Sequence, residues 1–468
     1  MKFLLSALLA ASRLISANPL PEPTETGPAE PVTTEVIVEE EIVSVGCEII
    51  TPKVFIISMV GFPTSIHPPA DTPQFAPEAD IWYTNANTSG SIGDLLAKNV
   101  TVPGLSPLYP QAHCLADGSV CQLTTGESEI NAATSITALL LSPLFDLKKT
   151  YFLIGGIAGI NPKHGTLGDV AFSKYAIQVA LQYEFDAREI PANFSTGYVP
   201  QGSYAPDEYP SSIYGTEVFE VSETLRDIAA GFASSASLND SADAKAYRAH
   251  YADQGVTTYT AATKAPGIIK CDVATSDVYY SGTLLGEAFE NTTTLFTNGS
   301  GVYCMTAQED NATLEAMTRA AIRKVVDFSR IIIMRTASDF DRPYPGLSDI
   351  DNLFYADQGG FEPAIQNIWL AGTPVVKGIL AEWESRFDAG VAPSNYIGDI
   401  FGTLGGVPDF GPYTGPEFGP GGYAAEHTGA DGVISRRGLY EMGRRGLKGK
   451  MGLEMAKRAQ MGLGGVVE

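Results

Sequence analysis

Apolar residues occur along this chain in short unbroken runs, the pattern expected of strands buried on both faces of a sheet. Lys53-Val54-Phe55-Ile56-Ile57, behind the breaker Pro52, predicts such a strand over 52–58. Phe152 to Ile160 predicts another over 151–160, and Arg330 to Thr336, with Ile331, Ile332 and Ile333, a third. Residues 168–185 suit one or two further strands, and Val302 to Thr306 one more.

Helical spacing alternates with these runs. Ile130 to Leu141 suits a helix, and 222–251 has helical spacing with Ser222 placed to cap its start. Over 312–326, Leu314, Met317, Ala321 and Val325 fall on one face. Strand–helix alternation predicts an α/β protein with a parallel or mixed sheet covered on both sides. Ligands of such sheets sit beyond the carboxyl ends of strands, where both the Gly155–Gly159 stretch and Asp339 fall. Residues 61–77 form a Pro-rich insertion, and a Gly/Pro/aromatic-rich region follows Asp341 as far as Pro412.

Composition is that of a globular protein, 44% hydrophobic and 18% charged over 468 residues. A net charge of −24 argues against a nucleic-acid backbone as partner, since polyphosphate requires a basic surface. Lys2, the apolar run Phe3–Ala11 and the small residues Ser16-Ala17 read as a secretory signal over 1–17, which implies a secreted or cell-surface protein. A Pro/Glu/Thr-rich linker follows, 18–49, ahead of a folded domain over 50–412. The tail over 413–468 reads as disordered, and its last part, from Ser435, carries eight Lys/Arg against three acids. Seven Asn-x-Ser/Thr sequons, at Asn87, Asn99, Asn193, Asn239, Asn291, Asn298 and Asn311, agree with secretory passage and glycosylation. Five cysteines suggest the pairs Cys114–Cys121, across an Asp117-Gly118 turn, and Cys271–Cys304, with Cys47 left over. None has metal-ligand spacing, and the five histidines are scattered. After the signal, no stretch approaches the roughly 18 apolar residues a membrane helix requires.

The most informative segment is Gly155-Gly156-Ile157-Ala158-Gly159-Ile160-Asn161-Pro162, an apolar run ending in three glycines. It predicts a buried strand opening into a turn that lets a small ligand approach main-chain N–H groups, although glycines at such places also serve tight packing alone.

Further blocks accompany it: Thr125-Gly126-Glu127, Glu129 to Ala133, Gly156 to Thr166, Tyr214 to Phe219, Thr306-Ala307-Gln308-Glu309-Asp310-Asn311-Ala312, Arg335 to Arg342, and Asn395 to Asp399. Together they resemble the fungal purine nucleoside permease family, which is related to the nucleoside phosphorylase superfamily. The resemblance covers about residues 52–412. It implies one three-layer α/β/α domain around a mixed sheet, purine nucleosides as ligands and attack on the N-glycosidic bond. It implies no cofactor beyond inorganic phosphate as a co-substrate. It also implies nucleoside uptake, for which a separate membrane carrier and a homo-oligomer are candidate partners; a non-catalytic protein presenting nucleosides to that carrier is the rival reading.

Within the resemblance, Gly156-Ile157-Ala158-Gly159 is similar to the superfamily's Gly-Ser-Ala-Gly turn, and Ser338-Asp339 to its catalytic Ser-Asp. Asp339 would then protonate or hydrogen-bond purine N7, with Arg335 or Arg342 paired to it or anchoring the loop. Glu309, beside Gln308, would hold the ribose hydroxyls, and Asn161 would belong to the same ligand-facing segment. Each has a plainer alternative: Asp339 capping a turn, Glu309 an acid favoured at a helix start. Glu78, after the first strand, resembles the acid that orients water in the superfamily's nucleosidases; His67, in the insertion, reads as a surface residue. Where phosphorylases place an arginine and a serine for phosphate, this chain has Ile154 and Ile157. Phosphate would need Lys163, His164 or main-chain amides, which makes water a rival nucleophile.

Overall fold

A computed structural model describes residues 49–59, 76–255 and 257–411. The expected signal segment, the linker through residue 48 with Cys47, most of the insertion with His67, and the tail from residue 412 lie outside them. In chain order the strands are β1 (Val54–Ser58), β2 (Lys98–Thr101), β3 (Gln111–Cys114), β4 (Val120–Thr124), β5 (Tyr151–Ile160), β6 (Val170–Ser173), β7 (Tyr175–Gln178), β8 (Gln182–Glu184), β9 (Tyr198–Pro200), β10 (Val218–Glu220), β11 (Ile268–Lys270), β12 (Asp272–Thr275), β13 (Tyr303–Ala307), β14 (Ile331–Phe340) and β15 (Gly398–Asp399). The helices are α1 (Pro77–Thr84), α2 (Ser128–Leu141), α3 (Glu223–Ala233), α4 (Ala242–Ala249), α5 (Thr283–Phe296), α6 (Asp310–Ile322) and α7 (Phe361–Ala381).

All strands but β8 and β9 join one mixed sheet, with β1 parallel to β4 and β5, β5 parallel to β14, and β13 antiparallel to β5. Side chains on one strand alternate between two cores. Phe55 and Ile57 of β1, Phe152 and Ile154 of β5, and Ile331 and Ile333 of β14 join Ile136 and Leu139 of α2 and Leu314 and Met317 of α6. Val54, Ile56, Tyr151, Leu153, Ile332 and Met334 join Trp82 of α1, Leu225 of α3 and Ile368 and Val375 of α7. The architecture is therefore three layers, α/β/α, around a mixed sheet. No helix among the described residues is long and apolar enough to cross a membrane.

Local chemistry explains several boundaries. The Ser222 hydroxyl accepts the Leu225 N–H at 3.2 Å and starts α3, and Ser241 does the same for Ala244 at 2.8 Å and starts α4, so 222–251 is two helices where periodicity suggested one. The 168–185 stretch holds three short strands. Disulfides join Cys114 to Cys121 and Cys271 to Cys304. The first closes the β3–β4 hairpin, whose turn places Gly118 at a φ of 71°.

Two readings need correction. The glycines 155, 156 and 159 lie inside β5, not in a turn beyond it. The Gly/Pro/aromatic-rich region after Asp341, for which no element is expected, contains the 21-residue α7 with Pro374 inside it. Its glycines are contact points: a Cβ on Gly372 would lie 2.8 Å from the Trp82 ring, and one on Gly378 2.6 Å from the Phe232 ring. Close packing against two aromatic rings outweighs the helix penalty of about 1 kcal/mol per glycine.

Candidate functional site

One flank of β5 changes neighbour along its length. It pairs with β1 as far as Ile154 and with β13 only at Gly159 and Ile160. Between them the strand edge meets no other strand among the described residues, and a buried N–H there needs an acceptor. Glu78, in the first turn of α1, supplies it. Its Oε1 accepts the Ile157 N–H at 2.7 Å and its Oε2 the Met59 N–H at 2.8 Å, with the side chain fully buried.

Gly156 makes room for this acid. A Cβ on Gly156 would lie 2.7 Å from Glu78 Oε1 and 2.9 Å from Arg335 Nη1. Arg335, its partner on β14, is buried and donates to the Ile157 carbonyl at 3.2 Å, to Glu309 Oε2 at 3.2 Å and to Asp310 Oδ2 at 2.8 Å. Glu309 precedes α6 and its Oε1 accepts the Ser128 N–H at 3.1 Å from the start of α2, where Ser128 holds a left-handed φ of 73°. Burial pushes the Glu309 carboxyl upward against the pull of Arg335. Three acids and one guanidinium thus tie α1, β5, α2, α6 and β14 together.

Asp339 stands further along β14, opposite Gly159, just past an irregularity that makes Ser338 the extra residue. The Ser338 hydroxyl lies 2.6 Å from Asp339 Oδ1 and 3.1 Å from the Ala158 carbonyl, and the Tyr279 hydroxyl donates to Oδ2 at 3.2 Å. One hydroxyl proton serves one strong acceptor at a time. With Asp339 ionised, Ser338 donates to the carboxylate; with Asp339 protonated, Ser338 can accept from it and donate to Ala158. Burial pushes the Asp339 carboxyl up, outweighing the two hydroxyls, and nearby Asp341 acts in the same direction.

Glu309 and Asp339 both line one cavity of 590 Å³, with Ile157, Ala158 and Gly159 of β5 and with Gln308, Glu127 and Thr306. That size is ordinary for a small-molecule site. Tyr279, Phe354 and Phe361 add aromatic surface, all three substantially exposed. Three carboxylates face the space, and among the described residues that line it there is no lysine or arginine. Burial raises the Glu127 carboxyl as well.

Other expected residues lie elsewhere. Arg335 sits behind Glu309 and Arg342 pairs with Asp341 at 2.8 Å, so neither arginine is the partner of Asp339. Asn161 is buried in the bend after β5, accepting the Lys163 N–H at 3.0 Å and donating to the Tyr303 carbonyl at 3.3 Å. Lys163 bonds Glu290 of α5 at 2.8 Å and His164 lies 3.9 Å from the same carboxylate; together they hold it near a pKa of about 2. Neither lines the cavity. The sequon residue Asn311 is also buried, its amide bonded to Thr275 and Thr216, which leaves no room for a glycan in the folded chain.

Sequence reasoning passed over Glu127, Thr306, Tyr279, Phe354 and Phe361. The first two fall inside blocks that carried the resemblance, which was the available signal; the aromatic residues lie at or near loops, where periodicity is silent.

A family model described as "Purine nucleoside permease (NUP)" matches residues 51–392. A purine nucleoside permease of Candida albicans is 46% identical over 366 residues, covering 77% of this chain and 83% of that protein. A probable purine nucleoside permease of Schizosaccharomyces pombe is 39% identical over 340 residues, covering 71% and 90%. Among solved structures, a 5′-methylthioadenosine/S-adenosylhomocysteine nucleosidase from Neisseria meningitidis is 15% identical, covering 70% of this chain and 99% of that one, with a TM-score of 0.37.

Proposed function

This chain belongs to the purine nucleoside permease family, and we propose that its cavity binds purine nucleosides and cleaves their N-glycosidic bond with water as the nucleophile. The observation that carries the reading is that Glu309 and Asp339 face one cavity whose described lining residues include no lysine or arginine. Cleavage needs a leaving base that departs neutral and a ribosyl cation sheltered until a nucleophile arrives. Asp339, whose carboxyl burial pushes toward the protonated form, donates a proton to purine N7 as the C1′–N9 bond breaks. Glu309 accepts hydrogen bonds from the adjacent ribose hydroxyls, and its negative charge favours the cation that forms beside it. Tyr279, Phe354 and Phe361 offer faces on which a purine can stack.

Water adds to C1′ and gives up a proton. Glu78 is the base we assign, because its carboxylate holds the N–H of Ile157, a residue that lines the cavity. A phosphate dianion would meet the carboxylates of Glu309 and Glu127, with Lys163 and His164 committed to Glu290. Like charges at short range in a half-buried site disfavour it by several kcal/mol, at about 4 kcal/mol per pair at 4 Å. In this reading, nucleoside uptake follows from delivery of free base to a separate membrane carrier.

Incubating purified protein with adenosine, with and without inorganic phosphate, tests the proposal. Adenine and free ribose formed at equal rates in both support it. Ribose 1-phosphate, formed only with phosphate, overturns the choice of nucleophile, and no adenine under either condition overturns cleavage.

A further inference from the structure

A second, smaller cavity opens beside Asp339. It measures 170 Å³ and shares Tyr279, Ser338, Asp339, Leu353 and Phe361 with the larger one. The rest of its wall comes from Ser281, Phe340 and residues of the segment 352–360. That wall is polar and held in place. The Asn352 amide donates to Ser281 Oγ at 2.8 Å, and its oxygen accepts from Tyr247 at 2.7 Å and from Gln358 at 3.3 Å. Gln358 Oε1 in turn accepts the Phe340 N–H at 2.7 Å. Gly359 takes a φ of 68°, and a Cβ on Gly360 would collide with the Ser338 carbonyl, so the loop's main chain lies directly against β14.

Water occupies about 30 Å³ per molecule in the liquid, so this space holds about five waters or a substituent of four or five heavy atoms. On a purine, N7 and the exocyclic group at C6 share one edge. A base whose N7 meets Asp339 therefore sends its C6 group along the Asp339 wall, which the two cavities share. We infer that the smaller cavity is a subsite for the C6 substituent, and that the protein accepts adenine compounds bearing a short polar extension on the exocyclic amine. The inference rests on the proposed contact between Asp339 and N7, and it deepens that reading from purine nucleosides in general to a class with modified C6 groups.

Calorimetric titration of the purified protein with adenine and with N6-(2-hydroxyethyl)adenine tests it without requiring turnover. Ala356 lines only the smaller cavity and its N–H bonds the Asp351 carbonyl at 2.7 Å, so Ala356→Leu fills the space and leaves that bond in place. The wild-type protein is expected to bind the two bases within about threefold of each other. Ala356→Leu is expected to weaken the extended base by about tenfold or more and leave adenine binding unchanged. Retained adenine binding also shows that the variant folds. Tenfold weaker wild-type binding of the extended base, or equal loss of both bases in a folded variant, overturns the inference and leaves the nucleoside reading standing. Wild-type protein that binds neither base removes both. If the variant does not fold, the wild-type comparison decides alone.

Discussion

Gly156 and Arg335 face each other across the β5–β14 ladder, and the Glu78 carboxylate fills the space that the missing Cβ leaves. The glycine is therefore a requirement of side chains brought from three distant parts of the chain. Gly156→Ala would set its methyl 2.7 Å from Glu78 Oε1 and 2.9 Å from Arg335 Nη1. The expected outcome is a loss of about 1–3 kcal/mol in denaturant unfolding, typical of overpacking, together with slower nucleoside cleavage. A variant with unchanged stability and rate would show that Glu78 is free to move.

Asp339→Asn removes the proposed proton donor and keeps the shape of the side chain. Adenosine turnover is expected to fall by about 10²–10⁴-fold while nucleoside binding survives. In the wild type the donor must hold its proton. Its carboxyl is raised above the ordinary 3.8, so turnover is present below that raised value and declines as pH rises through it. A rate–pH profile of both proteins checks this. Turnover that is indifferent to the substitution would remove Asp339 as the proton donor, and nucleoside binding with no turnover in either protein would favour a protein that binds nucleosides without cleaving them.

Arg335 is the buried cation between Glu309 and Asp310. Arg335→Met leaves two buried carboxyls without their counter-charge, at an expected cost of about 3–5 kcal/mol. Adding Glu309→Gln to that variant should restore part of the lost stability in the same denaturation assay. No recovery would mean that Arg335 acts through packing alone.

Stability should depend on pH in a definite direction. Burial raises Glu220 to about 8 and Asp169 to about 7. Groups raised in the folded state contribute fully below their unfolded values, near 4, and lose that contribution as pH climbs through 7 and 8. Glu290, held down to about 2 by His164 and Lys163, acts oppositely: its contribution is present above 4.5 and is lost as pH falls toward 2. Melting temperature is therefore expected to peak in weak acid and to drop between about pH 5 and 8, and Glu220→Gln should flatten part of that drop.

The layered core was legible because β1, β5 and β14 alternate between two buried faces, and a strand apolar on both faces leaves an unbroken run in the sequence. Asp339 and Glu309 were legible as members of motif blocks. The route of the main chain around them was not. Ser338 and Asp339 look like the polar end of a strand, but the irregularity at Ser338 lets β14 continue to Phe340. Glycines 155, 156 and 159 look like a turn because glycine is a weak strand former; Glu78 beside Gly156, and Thr306 and Asp339 beside Gly159, are the reason for those two. The pairing of Arg335 with Glu309 and Asp310 joins residues on separate elements, and no local pattern could have chosen it over a pairing with Asp339. In α7, Gly372, Pro374 and Gly378 read as breakers until Trp82 and Phe232 are seen packed against the two glycines.

A crystal structure of Asp339→Asn with adenosine tests the central claim most directly. The account predicts the ribose hydroxyls within hydrogen-bond distance of Glu309, purine N7 beside residue 339, and the exocyclic amine directed toward Ser281 and Asn352. Adenosine bound outside this cavity, or turned so that its base lies at Glu309 and its sugar at residue 339, would contradict it.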